Sequence, residues 1–235
     1  MRRFAGPLAA VLSLVGLGCA EIQDLGLVDI LLEQPESEAR VASGLREALR
    51  VGTERAVATL SAPGGYAEVP SLRLELPESL QPAAKTLRHI GMGRQVDRIE
   101  EKMNEAAERA AAEAVPVFAE AVASMSIRDA LGILNGPDDA ATRYFQGRTS
   151  EELTIRFRPV VEGAMQEVGA YRAYDEAKRL YESIPLTKSL PPDLETHVLN
   201  ETLAGLFDTL AEEEARIRED PAARTTALLQ EVFAR

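Results

Sequence analysis

Apolar residues return every three or four positions along most of this chain, and that stride restricts the fold more than any other feature. Val41, Leu45, Ala48, Leu49, Ala56, Val57 and Leu60 fall on one stripe, and Leu199, Leu203, Leu206 and Leu210 on another. Residues three and four apart share a helix face, so each stripe predicts an amphipathic helix. Aromatic residues make up only 5% of the sequence and Trp is absent, so the core has to come from Leu, Val, Ile and Ala. Cores of that kind suit closely packed helices better than sheets. The expectation is an all-α fold, one compact domain of eight or nine helices over residues 37–235.

Turn and cap signals divide the pattern. Pro35 and Glu36 mark the start of the domain, and Pro63-Gly64-Gly65 ends the first helix. Leu72, Leu74 and Leu76 alternate with Arg73 and Glu75, which suggests a short strand or extended segment ending at Pro77, though one isolated strand cannot make a sheet. A helix is expected from Pro77 to Ile90, closed by Gly91 and Gly93. The longest stride, Val96 to about Met125, contains Pro116, which should kink or break it. Ser126 with Asp129 reads as a capping box, and Asn135-Gly136 ends the short helix it starts. Pro137, Asp138 and Asp139 read as the next helix start, with carboxylates facing the positive end of its dipole. Thr149 with Glu152 suggests a further box, Tyr171, Tyr174 and Tyr181 a helix, and Pro185–Pro192 a loop. Asp193 is placed to cap the penultimate helix, with Glu212, Glu213 and Glu214 on its outer face, and Asp220-Pro221 to open the last.

The N-terminus points to export. Arg2 and Arg3 precede an apolar run from Leu8 to Leu17, and Gly18 precedes Cys19, the order of a secretory signal and its cleavage site. The run is shorter than the roughly 20 apolar residues of a spanning helix. Cys19 is the one cysteine in the chain, and it stands where a lipoprotein signal peptidase would leave a new N-terminus. Residues 1–18 are therefore expected to be a signal peptide, Cys19 the site of lipid (palmitate-class acyl) attachment, and residues 19–36 a tether. Gly16 stands three before the cysteine, where an aliphatic residue is usual. Glu21 follows Ala20 with no Asp directly after Cys19, which favours the outer membrane, facing the periplasm.

Charge narrows the partners. The chain carries 26 basic and 38 acidic residues, a net −12. Residues 1–18 contain two of the basic residues and no acidic ones, so the remainder carries 24 against 38, or −14. Such a surface repels nucleic-acid backbones and anionic lipid headgroups, so attachment to a membrane is expected through the N-terminal lipid.

No strong catalytic pattern emerges. His89 and His197 are the only histidines, neither lies in a zinc-hydrolase motif, and His197 with Glu201 reads as a surface pair. No serine elbow or phosphate-binding loop is present. No cofactor and no metal is expected. Asp138, Asp139, Arg143, Tyr144 and Phe145 form the most distinctive local cluster, read either as an interaction surface or as a cap followed by core aromatics.

Gly-Leu-Arg-Glu-Ala-Leu at 44–49, Pro-Gly-Gly-Tyr at 63–66 and Gly-Pro-Asp-Asp-Ala-Ala-Thr-Arg-Tyr-Phe at 136–145 resemble the bacterial domain-of-unknown-function family 4197. So do Gly-Leu-Phe at 205–207, Glu-Glu-Glu-Ala-Arg-Ile-Arg at 212–218 and Asp-Pro-Ala-Ala-Arg at 220–224. The resemblance implies an exported, helical and often lipidated protein, and it carries no catalytic residues over. The leading expectation is a membrane-anchored envelope protein that engages another envelope component without catalysis. One alternative is an amphiphile-binding protein with a cavity lined by Met103, Met125 and Met165. The other is a hydrolase, whose cue would be a buried, pKa-shifted Glu or Asp beside Arg in a cleft.

Overall fold

The structure, a computed structural model, describes residues 27–184 and 194–219, with side chains from residue 38 onward. Eight α-helices account for most of it and no strand occurs among the described residues. They are α1 (Leu27–Ser61), α2 (Gln81–His89), α3 (Gly93–Ala111), α4 (Ala114–Ala123), α5 (Ile127–Leu134), α6 (Ala140–Glu167), α7 (Ala170–Glu182) and α8 (Leu194–Glu219). A 3-10 turn, Glu78–Leu80, leads into α2. Cys19, the Pro185–Pro192 loop, Asp193 and the helix expected after Asp220 lie outside the described residues.

The expected stripes form the core. Leu45, Ala48, Leu49, Ala56, Val57 and Leu60 on α1 are buried, as are Leu199, Leu206 and Leu210 on α8. α3 lies at the centre, packing on α1, α2, α6, α7 and α8, and α8 closes over α1 and α6. Alanine makes that crowding feasible: Ala106, Ala107, Ala110 and Ala111 on α3 and Ala114 on α4 are all fully buried. Small side chains let helix axes approach and leave the bulk to a few rings. Phe118 on α4, Phe145 on α6 and Phe207 on α8 supply it, with ring centroids 5.2 Å (118–145) and 6.4 Å (118–207) apart and edge-to-face.

Several boundaries differ from those read in the sequence. α1 begins at Leu27 and crosses Pro35 rather than starting at Ser37. A proline removes one donor and crowds the preceding turn, yet α1 continues through it, and Pro159 likewise sits inside α6. The long stride ending near Met125 is two helices, and Pro116 lies in the first turn of α4, where a missing N–H leaves nothing unpaired. Thr149 starts no helix. It is buried within α6 and its Oγ1 donates to the Phe145 carbonyl at 2.7 Å, while Glu152 pairs with Arg156. The Ser126–Asp129 capping box is present as read.

Two helix ends are closed by arginines from distant helices. Arg46 on α1 donates to the Met125 carbonyl just after α4 at 2.6 and 3.2 Å. Arg218 on α8 donates to the Ile133 carbonyl near the end of α5 at 3.0 Å. Cationic donors suit these positions because the last carbonyls of a helix lack internal partners and carry its negative dipole end.

A groove above the polar stripe of helix α3

Helix α3 carries a buried polar stripe inside an otherwise apolar packing surface. Glu100, Asn104 and Glu108 stand at intervals of four, so they lie one above another on a single face. All three are buried. Each holds backbone of residues 64–76, within the connection between α1 and α2.

At one end, the turn Pro63-Gly64-Gly65-Tyr66 wraps a carboxylate. The N–H groups of Gly64, Tyr66 and Ala67 all donate to Glu108 Oε1, at 3.1, 3.3 and 3.3 Å. The conformation depends on glycine twice. Gly64 has φ +86°, and a Cβ on Gly65 would lie 2.4 Å from the carbonyl oxygens of Thr59 and Leu60. Tyr66 then runs inward to α8, where its hydroxyl donates to the Thr202 carbonyl at 2.7 Å. Gly205, one turn on, leaves the room: a Cβ there would stand 2.7 Å from Tyr66 Cε1. Burial pushes the Tyr66 hydroxyl far above its ordinary pKa, with Glu108 and Asp208 adding to the effect, so it stays a donor.

In the middle, Leu72 closes a turn, its N–H donating to the Val69 carbonyl at 3.0 Å, and residues 73–77 form neither helix nor strand; side chains take the place of a partner strand. Leu74 N–H donates to Asn104 Oδ1 and Asn104 Nδ2 donates back to the Leu74 carbonyl, both at 2.9 Å. The Glu75 carbonyl meets His197 Nε2 at 2.8 Å, and the Leu76 carbonyl accepts from Gln81 Nε2 at 2.7 Å. The segment thus satisfies its backbone without a sheet.

At the other end stands Glu100. Its carboxylate accepts from the Leu76 N–H and sits 3.3 Å from Arg88 of α2 and 3.8 Å from Arg73 of the connecting segment. Arg88 also pairs with Asp97. Burial raises the Glu100 pKa, the nearby Arg88 and Arg73 charges and the Leu76 N–H pull it back, and Glu75 adds to the rise. These residues, with Glu68, Glu75, Ala67 and Pro70, line an open groove of about 750 Å³. The groove joins a buried, pKa-shifted carboxylate to arginine, the combination named above as the cue for chemistry.

The cluster singled out in the sequence is divided. Asp138 and Arg143 are exposed, and Arg143 pairs with Asp139 at 2.8 Å. Phe145 is fully buried and belongs to the core, and Tyr144 packs edge-on against it. Neither aspartate's side chain caps α6. The cap comes from α8: Glu214 accepts from the N–H groups of Ala141 and Thr142 at 2.9 and 2.8 Å and from Thr142 Oγ1 at 2.8 Å. Glu213 and Glu214 are therefore buried, not on the outer face expected for them. His197 lies 4.0 Å from Glu201 through Nδ1, but its stronger bond is to the Glu75 carbonyl.

The groove was invisible to sequence reading because its lining comes from three separate stretches. The available signal was the spacing Glu100, Asn104, Glu108, polar residues on the buried side of an amphipathic helix.

Met103, Met125 and Met165 are buried in the core. The apolar pocket between α1, α5 and α8 is lined by Leu45, Leu49, Ile133, Leu210 and Ile217 among others, and by none of those methionines. Among the described residues, no group of three or more His, Cys, Asp or Glu is arranged to hold a metal ion, and no single helix is long and apolar enough to cross a membrane.

Neither a curated protein nor a solved structure matches this chain. A family model does, over residues 36–234, nearly the whole of the helical region. The chain therefore belongs to the family described as proteins of unknown function, DUF4197.

Proposed function

We propose that this chain is a lipid-anchored protein of the bacterial envelope that holds another envelope component in the groove above α3. The observation that carries the binding part is the construction of that groove. Glu100, Asn104 and Glu108 fix the backbone of residues 64–76 from below, so Glu68, Arg73 and Glu75 are displayed on a rigid edge. A surface held in one conformation before contact loses little entropy on binding. The anchor rests on Cys19 and the apolar run before it; two or three acyl chains give stable attachment where one is marginal. The site faces the periplasm from the outer membrane in this reading.

The test has two arms. Metabolic labelling with palmitate should mark the wild-type chain and not Cys19→Ser. A photo-crosslinker at Arg73 or Glu75 should capture one defined partner in intact cells, while the same group at Ile155, an exposed position on α6, should not. Equal capture from both positions, or none from the groove, sinks the docking reading.

A hydrolytic reading has one observation in its favour, the buried Glu100 with its raised pKa between two arginines. Against a panel of ester, amide and glycoside substrates, it requires turnover that Glu100→Gln abolishes. A background shared by wild type and variant removes it. The amphiphile-binding reading loses its proposed lining, since Met103, Met125 and Met165 fill the core.

A further inference from the structure

We propose that the groove takes a peptide segment bearing both a carboxylate and a basic side chain; this rests on the reading of the groove as a docking face and names the chemistry it selects. Arg73 and Arg88 come from different elements, yet both reach the same oxygen, Glu100 Oε2, at 3.8 and 3.3 Å. One carboxylate oxygen cannot saturate two guanidinium forks. Arg88 has Asp97 as a second partner. Arg73 donates no hydrogen bond to any described group, and its side chain is 48% exposed at the groove wall. Its donors have the planar geometry that receives a carboxylate in two parallel bonds.

The opposite sign stands beside it. Glu68 and Glu75 are exposed in the same lining and make no ion pair with any described residue. A purely anionic ligand meets these two carboxylates, and a purely cationic one meets Arg73 and Arg88. A ligand carrying both charges can set its carboxylate against Arg73 and its cation against Glu68 and Glu75. The groove's volume falls within the range of about 300–1,000 Å³ usual for ligand sites. Its apolar lining is limited to Ala67 and Pro70, which offers no seat to an acyl chain and favours a peptide over a lipid.

Isothermal titration calorimetry on the full chain in detergent micelles tests this with hexapeptides capped at both ends, so that only side chains carry charge. One set holds an Asp and a Lys at every spacing, a second Asp alone, a third Lys alone; glycerophosphoethanolamine presents the same two charges as a lipid headgroup. At least one Asp–Lys spacing should bind roughly tenfold or more tightly than either single-charge peptide, a margin of about 1.4 kcal/mol. Arg73→Gln and Glu75→Gln should each erase that margin while the helical circular dichroism spectrum stays that of wild type, since both side chains are exposed and hold no described hydrogen bond. Arg148→Gln, exposed on α6, should leave it intact. The proposal is overturned if no spacing exceeds the single-charge peptides, if Arg73→Gln binds like wild type, or if the headgroup binds and no peptide does. A partner crosslinked at the groove while every peptide fails removes the charge rule alone. Peptides that bind while cellular crosslinks fall elsewhere remove the docking reading.

Discussion

Asn104 treats Leu74 as a neighbouring strand would, accepting its N–H and donating to its carbonyl, each at 2.9 Å. The amide has a second anchor, since Nδ2 also donates to the Glu100 carbonyl one turn earlier at 2.7 Å. The side chain is therefore locked from both ends, and the connecting segment inherits its position from α3.

Asn104→Leu should destabilise the fold by about 2–4 kcal/mol, because it leaves two buried backbone groups of Leu74 without partners. Asn104→Asp, which keeps the acceptor and loses the donor, leaves the Leu74 carbonyl unpaired and brings a charge beside Glu100, so it should not rescue. Urea unfolding checks both: a lower midpoint at unchanged slope is the expected result, and a midpoint equal to wild type contradicts it.

Gly205→Ala offers a sharper case, since helix propensity alone would stabilise it by about 1 kcal/mol. The new Cβ would stand 2.7 Å from a fully buried ring, so the net effect should be a loss of about 1–3 kcal/mol. In a Tyr66→Leu background the ring is gone, and the same change should become neutral or favourable. A double-mutant cycle reads the coupling, and additive effects would show that the two residues do not meet.

Glu214→Ala should cost about 2–4 kcal/mol, since it leaves the Ala141 and Thr142 amides without their acceptor and removes one of the partners of Arg218. Asp138→Asn and Asp139→Asn, at positions whose side chains do not cap the helix, should each stay within about 0.5 kcal/mol. The comparison of melting temperatures separates a cap supplied by α8 from one supplied locally.

Glu100 gives the stability a pH signature. Its pKa is raised in the folded state above the ordinary value of 4.5, so the folded chain holds this proton more tightly than the unfolded one. The resulting stabilisation is full below pH 4.5 and fades as pH rises through the folded value. Glu100→Gln has no such proton, so its stability relative to wild type should increase as pH rises above 4.5 and level off beyond the folded value. Midpoints measured at several pH values test this; a difference that stays flat, or falls, contradicts the sign.

Much of the framework was legible because helices declare themselves through a short-range period. The buried faces of α1 and α8, the Ser126 box, the break around Pro116 and the turn at Gly64-Gly65 all follow from residues within a few positions of one another. Thr149 shows where that reasoning stops. Its spacing to Glu152 matches a cap, but a threonine inside a helix can bond to the carbonyl four residues back, and packing of Phe145 and Leu153 on either side keeps the helix continuous.

The amino-acid sequence by itself determined an all-α domain with a core poor in rings and an excess of acidic residues. Only the tertiary structure decided which polar residues are buried and what they hold. Glu214 reads as a solvent-facing charge along its own helix, and Glu108 draws no notice at all, because local periodicity says nothing about whose unpaired amides lie opposite. Those amides belong to segments 41 to 73 residues away, and an unpaired buried N–H draws a carboxylate strongly wherever the fold brings one near. The groove exists for the same reason, as a surface assembled by distant backbone groups finding partners on one face of α3.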